Sequence, residues 1–204
     1  MALFSRELNA LMSRFVSAGG PQLRRMEAGD LDEVLRIIRL HDSDDARAAR
    51  VAFSQTRFDD PEAVGMHVVV LDPVERRIVG VSGYYVDDLE ARGIYWLGWT
   101  YVNPFSRGKG YGKLLMEFVI KTLEHLNARK LYLSTSSLPK YDEAVGFYKR
   151  FGFVEEGRLV DFFRAGEHKL IMGRPLGGAG VAPRAPAPAA PRPAPPDDEV
   201  TFKF

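Results

Sequence analysis

Cysteine is missing from the 204-residue chain. Its absence rules out a disulfide framework, a thiolate metal site and any acyl-cysteine intermediate, and it fits a reducing, cytoplasmic setting. Charge of a single sign is missing too: 28 basic against 27 acidic side chains leave a formal net charge of +1. No global field is then available to hold a polyanionic nucleic acid or an anionic membrane, and no nucleic-acid-binding motif compensates. No apolar run approaches the roughly 20 residues that a membrane span needs, and Arg6 and Glu7 interrupt the N-terminal hydrophobic stretch, so neither a signal peptide nor an anchor is expected. The histidines, His41, His67, His125 and His168, lack metal-ligand spacing, so no metal is expected.

What is present, 46% hydrophobic and 27% charged residues, suits one domain with a substantial core plus something extra. Residues 1–21 are the first extra piece. Phe4, Leu8, Leu11 and Phe15 recur at helical spacing before Gly19-Gly20-Pro21, which predicts an amphipathic helix whose apolar face packs on the domain or meets a partner or membrane surface. The domain itself, residues 22–176, opens with a strand over 22–28 and a helix capped by Asp30, with Leu31, Val34, Leu35, Ile37 and Ile38 on one side. A second helix is expected over 46–53. Residues 67–71 and 78–86 read as strands joined by a turn at Asp72-Pro73, a hairpin. Residues 94–102 read as one strand, on which Tyr95, Trp96, Trp99 and Tyr101 divide between a core face and a face free to wall a pocket. A helix over 113–126, a strand over 131–135, a helix over 143–151 stopped by Gly152, and closing strands over 153–163 and 169–172 complete the order. Such mixing predicts an α+β fold with a mostly antiparallel sheet.

Residues 177–204 change character. Gly177-Gly178-Ala179-Gly180 leads into Pro and Ala repeats from Ala182 to Pro196, which cannot bury a core and read as a solvated, partly polyproline-II linker. The last eight residues, Asp197 to Phe204, alternate apolar and polar side chains. They either stay disordered or add as a strand to an exposed sheet edge, of this chain's own domain or of a protein partner.

The most informative stretch runs from Val102 to Lys113, where an apolar strand turns through glycines into a helix. Gly108, Gly110 and Gly112 put no Cβ between a ligand and the backbone, so several N–H groups can face outward at the positive end of the helix, a seat for phosphate. Arg107, Lys109 and Lys113 add cationic side chains. The pattern Arg107-x-x-Gly110-x-Gly112, after Val-Asn-Pro and before Leu114-Leu115-Met116, resembles the acetyl-CoA pyrophosphate loop of the GNAT superfamily of N-acetyltransferases. Downstream, the run Ala144 to Phe153 is similar to that family's second signature, a tyrosine helix entering a Gly-Phe strand.

This resemblance implies the GNAT sheet flanked by helices, and acetyl-CoA as acyl donor to a primary amine of a small molecule or peptide, attacked directly in a monomer or homodimer. It implies a cofactor seat at Arg107, Gly108, Lys109, Gly110, Tyr111, Gly112 and Lys113. The main chain of Thr100, Tyr101 and Val102, where the fourth strand parts from the fifth, would pair with the pantetheine arm. Tyr148 matches the position whose phenol protonates the departing thiolate. Two departures stand out: Tyr141 replaces a customary asparagine, and Ser134 stands where some relatives carry a glutamate base. Asp87, Asp88 and Glu90 either receive the amine proton or form a surface turn, and Asp161, in a segment similar to the closing hairpin of some members, either lines the acceptor cleft or caps a turn. A second function class, an assembly protein that keeps an acyl-CoA pocket and recruits partners through its tail, fits the same residues.

Overall fold

A computed structural model describes residues 10–15, 19–54, 65–87 and 91–179. The extreme N-terminus, Asp88 and Glu90, and the Pro/Ala-rich tail with its strand-like end lie outside the described residues. The elements are α1 (residues 10–14), β1 (Gln22–Arg25), α2 (Leu31–Arg39), α3 (Ser43–Ser54), β2 (Met66–Leu71), β3 (Ile78–Tyr85), β4 (Ile94–Leu97), β5 (Tyr101–Val102), α4 (Tyr111–His125), β6 (Lys130–Ser136), α5 (Asp142–Arg150), β7 (Val154–Arg164) and β8 (Glu167–Pro175). The sheet runs in the order β1-β2-β3-β4-β6-β8-β7, with β5 also on β3. Every pairing is antiparallel except β4 with β6.

Both faces of the sheet's centre are covered, which explains why β3 is buried at seven consecutive positions, from Ile78 to Tyr84. Alternation along β2 sends Val68 and Val70 toward α4, with Leu115, Phe118 and Leu123, and Val69 toward α2 and α3, with Val34, Leu35, Ile38 and Phe53. Burying each such side chain contributes about 1.5–3 kcal/mol. Met12 of α1 belongs to the α4 core, and Phe15 meets the Phe118 ring edge-on at 5.6 Å, so the described part of the N-terminal segment packs on the domain.

Three sequence expectations are corrected. Asp30 does not cap α2 with its side chain; the carboxylate instead grips Arg24 at 2.6 Å and the Glu27 N–H at 2.8 Å, because the chain first makes a 3-10 turn over Ala28–Asp30. The first strand accordingly ends at Arg25. The single strand expected over 94–102 is two. Leu97 pairs with Tyr84 and Tyr101 with Val81, so Gly98, Trp99 and Thr100 stand opposite only Ser82 and Gly83. One extra residue makes this a β-bulge.

β7 forms the outer edge and is exposed along nearly its whole length. Its pairing with β8 loses register between Leu159 and Arg164. The bulge and the charges of Glu155, Glu156 and Arg158 blunt this edge.

Candidate functional site

Asn103 sets the entry to the glycine loop: its buried side chain accepts the Phe105 N–H at 3.0 Å, and its own N–H donates to Val79 at 2.8 Å. The chain then passes Gly108 at φ 76° and Gly110 at φ 84°, left-handed conformations that disfavour a side chain, and enters α4 without a side-chain cap. Among the described residues, no group accepts a hydrogen bond from the N–H of Gly108, Lys109, Gly110, Tyr111, Gly112 or Lys113. A Cβ at Gly108 or Gly110 would meet nothing within 4 Å. The concavity is open, and its donors sit at the positive end of a 15-residue helix.

The loop is tied down from the β2–β3 turn. Asp72 accepts the Tyr111 hydroxyl at 2.7 Å and the Val74 and Glu75 N–H groups, and faces the Lys109 ammonium at 3.5 Å. Those bonds, Tyr111's first, hold the Asp72 carboxyl well below the usual range. Arg107 faces Glu143 at 3.2 Å and Lys113 faces Glu117 at 3.7 Å. Each of the three cations expected at the seat therefore has a carboxylate neighbour, and the two pairs exposed on both sides, those of Arg107 and Lys113, are weak enough to yield to a phosphate.

Beside the loop the sheet opens. β4 pairs with β6 only from Ile94 to Trp96, after which β6 continues along β8 and β5 stays on β3. Tyr101 lies in the ladder with Val81, and the Asn103 N–H reaches Val79. Val102 between them therefore turns its main-chain groups into the gap. Thr100 holds the bulge, donating to the Gly98 carbonyl at 3.0 Å while its oxygen meets the Ser82 hydroxyl at 2.8 Å. The Val102 carbonyl accepts from His41 Nε2 at 2.8 Å, and His41 Nδ1 lies 3.4 Å from the Arg107 guanidinium. A guanidinium only donates, so Nδ1 carries the lone pair and the imidazole is neutral. Burial first, then the Arg107 charge, depresses the His41 pKa, against the Val102 bond.

Tyr148, on α5, packs among Phe147 and Phe153. Its hydroxyl has no hydrogen-bond partner among the described residues. Burial, and second the charge of Asp45, push its pKa up to about 12. Asp45 Oδ2 accepts from Tyr101 at 2.7 Å and from Tyr141 at 3.3 Å. Asp42 accepts from Tyr141 at 3.2 Å and from Lys140 at 2.6 Å, a bond that brings its pKa down to about 2. Burial chiefly raises the pKa values of Tyr101 and Tyr141. His41, Asp42, Asp45 and Asp72 were not selected as site residues from the sequence, and no local pattern marks them; they arrive from 37 to 99 positions away from these partners.

The remaining candidates lie elsewhere. Ser134 is exposed on β6, paired with Ile171. Asp161, at φ 52°, accepts the Gly166 N–H at 2.9 Å and so caps the β7–β8 turn. Among the described residues no cluster of three metal-binding side chains occurs, and no helix is long and apolar enough to cross a membrane.

A glycine loop thus opens a helix beside a forked sheet. The sequence model of the Acetyltransferase (GNAT) family matches residues 31–153, and this chain belongs to that family. Solved structures agree on the fold. A GNAT-family protein from Desulfovibrio desulfuricans shares 24% identity at a TM-score of 0.69, covering 77% of this chain and 99% of its own. The ribosomal-protein-S18-alanine N-acetyltransferase of Escherichia coli shares 19% at 0.61, covering 78% and 96%. An aminoglycoside 6′-N-acetyltransferase complexed with coenzyme A shares 15% at 0.60, covering 76% and 96%. A search of curated proteins returns no match.

Proposed function

We propose that residues 22–176 form an acetyl-CoA-dependent N-acetyltransferase acting on a primary amine. The observation that carries this reading is the row of N–H groups from Gly108 to Lys113 that no described group accepts, with open space at Gly108 and Gly110, beside the fork between β5 and β6. The loop N–H groups, with Arg107, Lys109 and Lys113 around them, would hold the pyrophosphate. The Val102 N–H, which points into the gap, would meet the acyl arm, and His41 would keep that segment in place.

In the reaction the amine lone pair attacks the thioester carbonyl, a C–N bond forms and the C–S bond breaks. Tyr148 gives its proton to sulfur, and the phenolate is neutralised by the proton that nitrogen sheds, so the phenol is restored. With a pKa of about 12, this phenol is a weaker acid than a thiol of pKa about 8.5. The proton therefore moves as sulfur leaves, not beforehand. The same shift keeps Tyr148 protonated throughout the neutral range.

The test is incubation with acetyl-CoA and a panel of polyamines, amino acids, aminoglycosides and peptides, read as free thiol. Acceptor-dependent thiol release is expected. Tight acetyl-CoA binding with no release on any amine would favour the assembly reading.

A further inference from the structure

β7 concentrates apolar side chains that no described residue covers. Ten of its eleven positions are exposed, and Val154, Leu159, Val160, Phe162 and Phe163 make up five of the ten large hydrophobics exposed among the described residues. Four of these five fall between positions 159 and 163, a clustering that marks a protein contact where scattered single residues would not. The segment is a built feature. Asp161 is held at φ 52° by two bonds, its Oδ1 accepting the Gly166 N–H and its own N–H donating to His168 Nδ1, each at 2.9 Å. Lys169 lies over the Phe162 ring at 4.7 Å, and Phe162 meets Phe163 edge-on at 5.1 Å.

The charges along this edge say which partner fits it. Glu156 is tied to Lys130 at 2.6 Å. The others alternate in sign at every third position, Glu155, Arg158, Asp161 and Arg164, with Leu159 and Val160 at the centre. A second copy of the strand, turned about a two-fold axis at that centre, brings Glu155 toward Arg164 and Arg158 toward Asp161, twice over. The in-chain bonds leave atoms available for this. Arg158 uses Nε and Nη2 on Glu155, and Arg164 uses Nε on Glu167, so Arg158 Nη1 and both terminal nitrogens of Arg164 have no hydrogen-bond partner among the described residues. The same holds for Asp161 Oδ2. A strand of unrelated sequence would meet charges of the wrong sign, which is how the edge is blunted against other partners. The chain's own terminal run, Asp197 to Phe204, carries three acids and one lysine and so matches one end of the pattern at most.

We propose that β7 is the interface of a homodimer in which two copies meet antiparallel about a two-fold axis between Leu159 and Val160. Leu159, Val160, Phe162 and Phe163 form its apolar centre, and the charged pairs form its rim. The register breaks in β7 rule out a continuous ladder across the axis, so side chains make the contact. The inference stands apart from the transferase reading, since its measurements involve no acetyl transfer.

Val160, 69% exposed, is the position to alter. Sedimentation velocity of the full chain at about 20 μM is expected to give twice the chain mass. Val160→Asp and Val160→Lys each set like charges against each other at the axis and are expected to weaken self-association about 30-fold or more, leaving monomers. Mixed one to one, the two variants are expected to dimerise again, because residue 160 of one copy then faces the opposite charge on the other. Arg158→Glu is expected to weaken association about tenfold through Asp161. Far-UV circular dichroism of each variant alone is expected to match the wild type, which separates lost contact from lost fold. A monomeric wild type overturns the proposal, as does a dimer that survives Val160→Asp or Arg158→Glu, or a mixture that stays monomeric. Loss of the dimer in full-length protein carrying Phe202→Asp and Phe204→Asp would assign the contact to the terminal run and overturn it too.

Discussion

At the residue scale, Gly110 separates ligand effects from packing effects. Its backbone is left-handed and a Cβ would meet open space. Gly110→Ala therefore costs only the conformational strain of about 1–2 kcal/mol. Gly110→Asp adds a negative charge beside the unpartnered N–H groups. We expect calorimetry to show acetyl-CoA affinity reduced over 100-fold in Gly110→Asp and less than about tenfold in Gly110→Ala. Tyr148 makes the complementary case, since its hydroxyl supports nothing structural among the described residues. Tyr148→Phe should lower kcat about 100-fold or more while leaving acetyl-CoA affinity and the melting temperature nearly unchanged. Normal turnover in that variant would remove the residue from the mechanism.

At the element scale, the bulge between β4 and β5 decides which side chains meet. Along an unbroken strand Tyr95, Leu97, Trp99 and Tyr101 would share one face. The extra residue flips the second half, so Tyr95 and Leu97 pack with α4 while Trp99 and Tyr101 pack with α2 and α3. That flip brings the Tyr101 hydroxyl to Asp45 and leaves the main chain of Val102 turned away from β3. His41, at the end of α2, then bridges β5 and the glycine loop through Val102 and Arg107. His41→Ala should cost about 1 kcal/mol in urea unfolding, the net worth of its hydrogen bond. It should also weaken acetyl-CoA binding severalfold, because the gap and the loop lose their common support. Unaltered binding would confine His41 to stability.

At the scale of the whole molecule, global stability is linked to pH through His67. This ring is buried against Gly83, Gly98 and Phe53, and its Nε2 has no partner among the described residues. Burial alone lowers its pKa to about 4 from 6.5. The unfolded chain binds a proton near pH 6.5 that the folded one refuses until about pH 4, so acidification through that window favours unfolding. The contribution of the neutral ring is full above pH 6.5 and is lost by pH 4, a change of about 3 kcal/mol. Urea unfolding at several pH values should show this slope, and His67→Asn should flatten it.

How much was legible follows from where each signal resides. The element order, the hairpin at Asp72-Pro73 and the glycine loop are local patterns, because helical and strand periodicities and glycine geometry act over a few residues. Arg107-x-x-Gly110-x-Gly112 and the Ala144–Phe153 run also carried the family. The sequence by itself thus determined the fold and the glycine loop that opens α4. Only the tertiary structure decided which distant side chains meet beside that loop. A one-residue bulge has no periodic signature, and the bonds from His41 to Val102 and from Asp45 to Tyr101 span 61 and 56 positions. Contacts of that kind exist only once two helices and a forked sheet have packed around a common core.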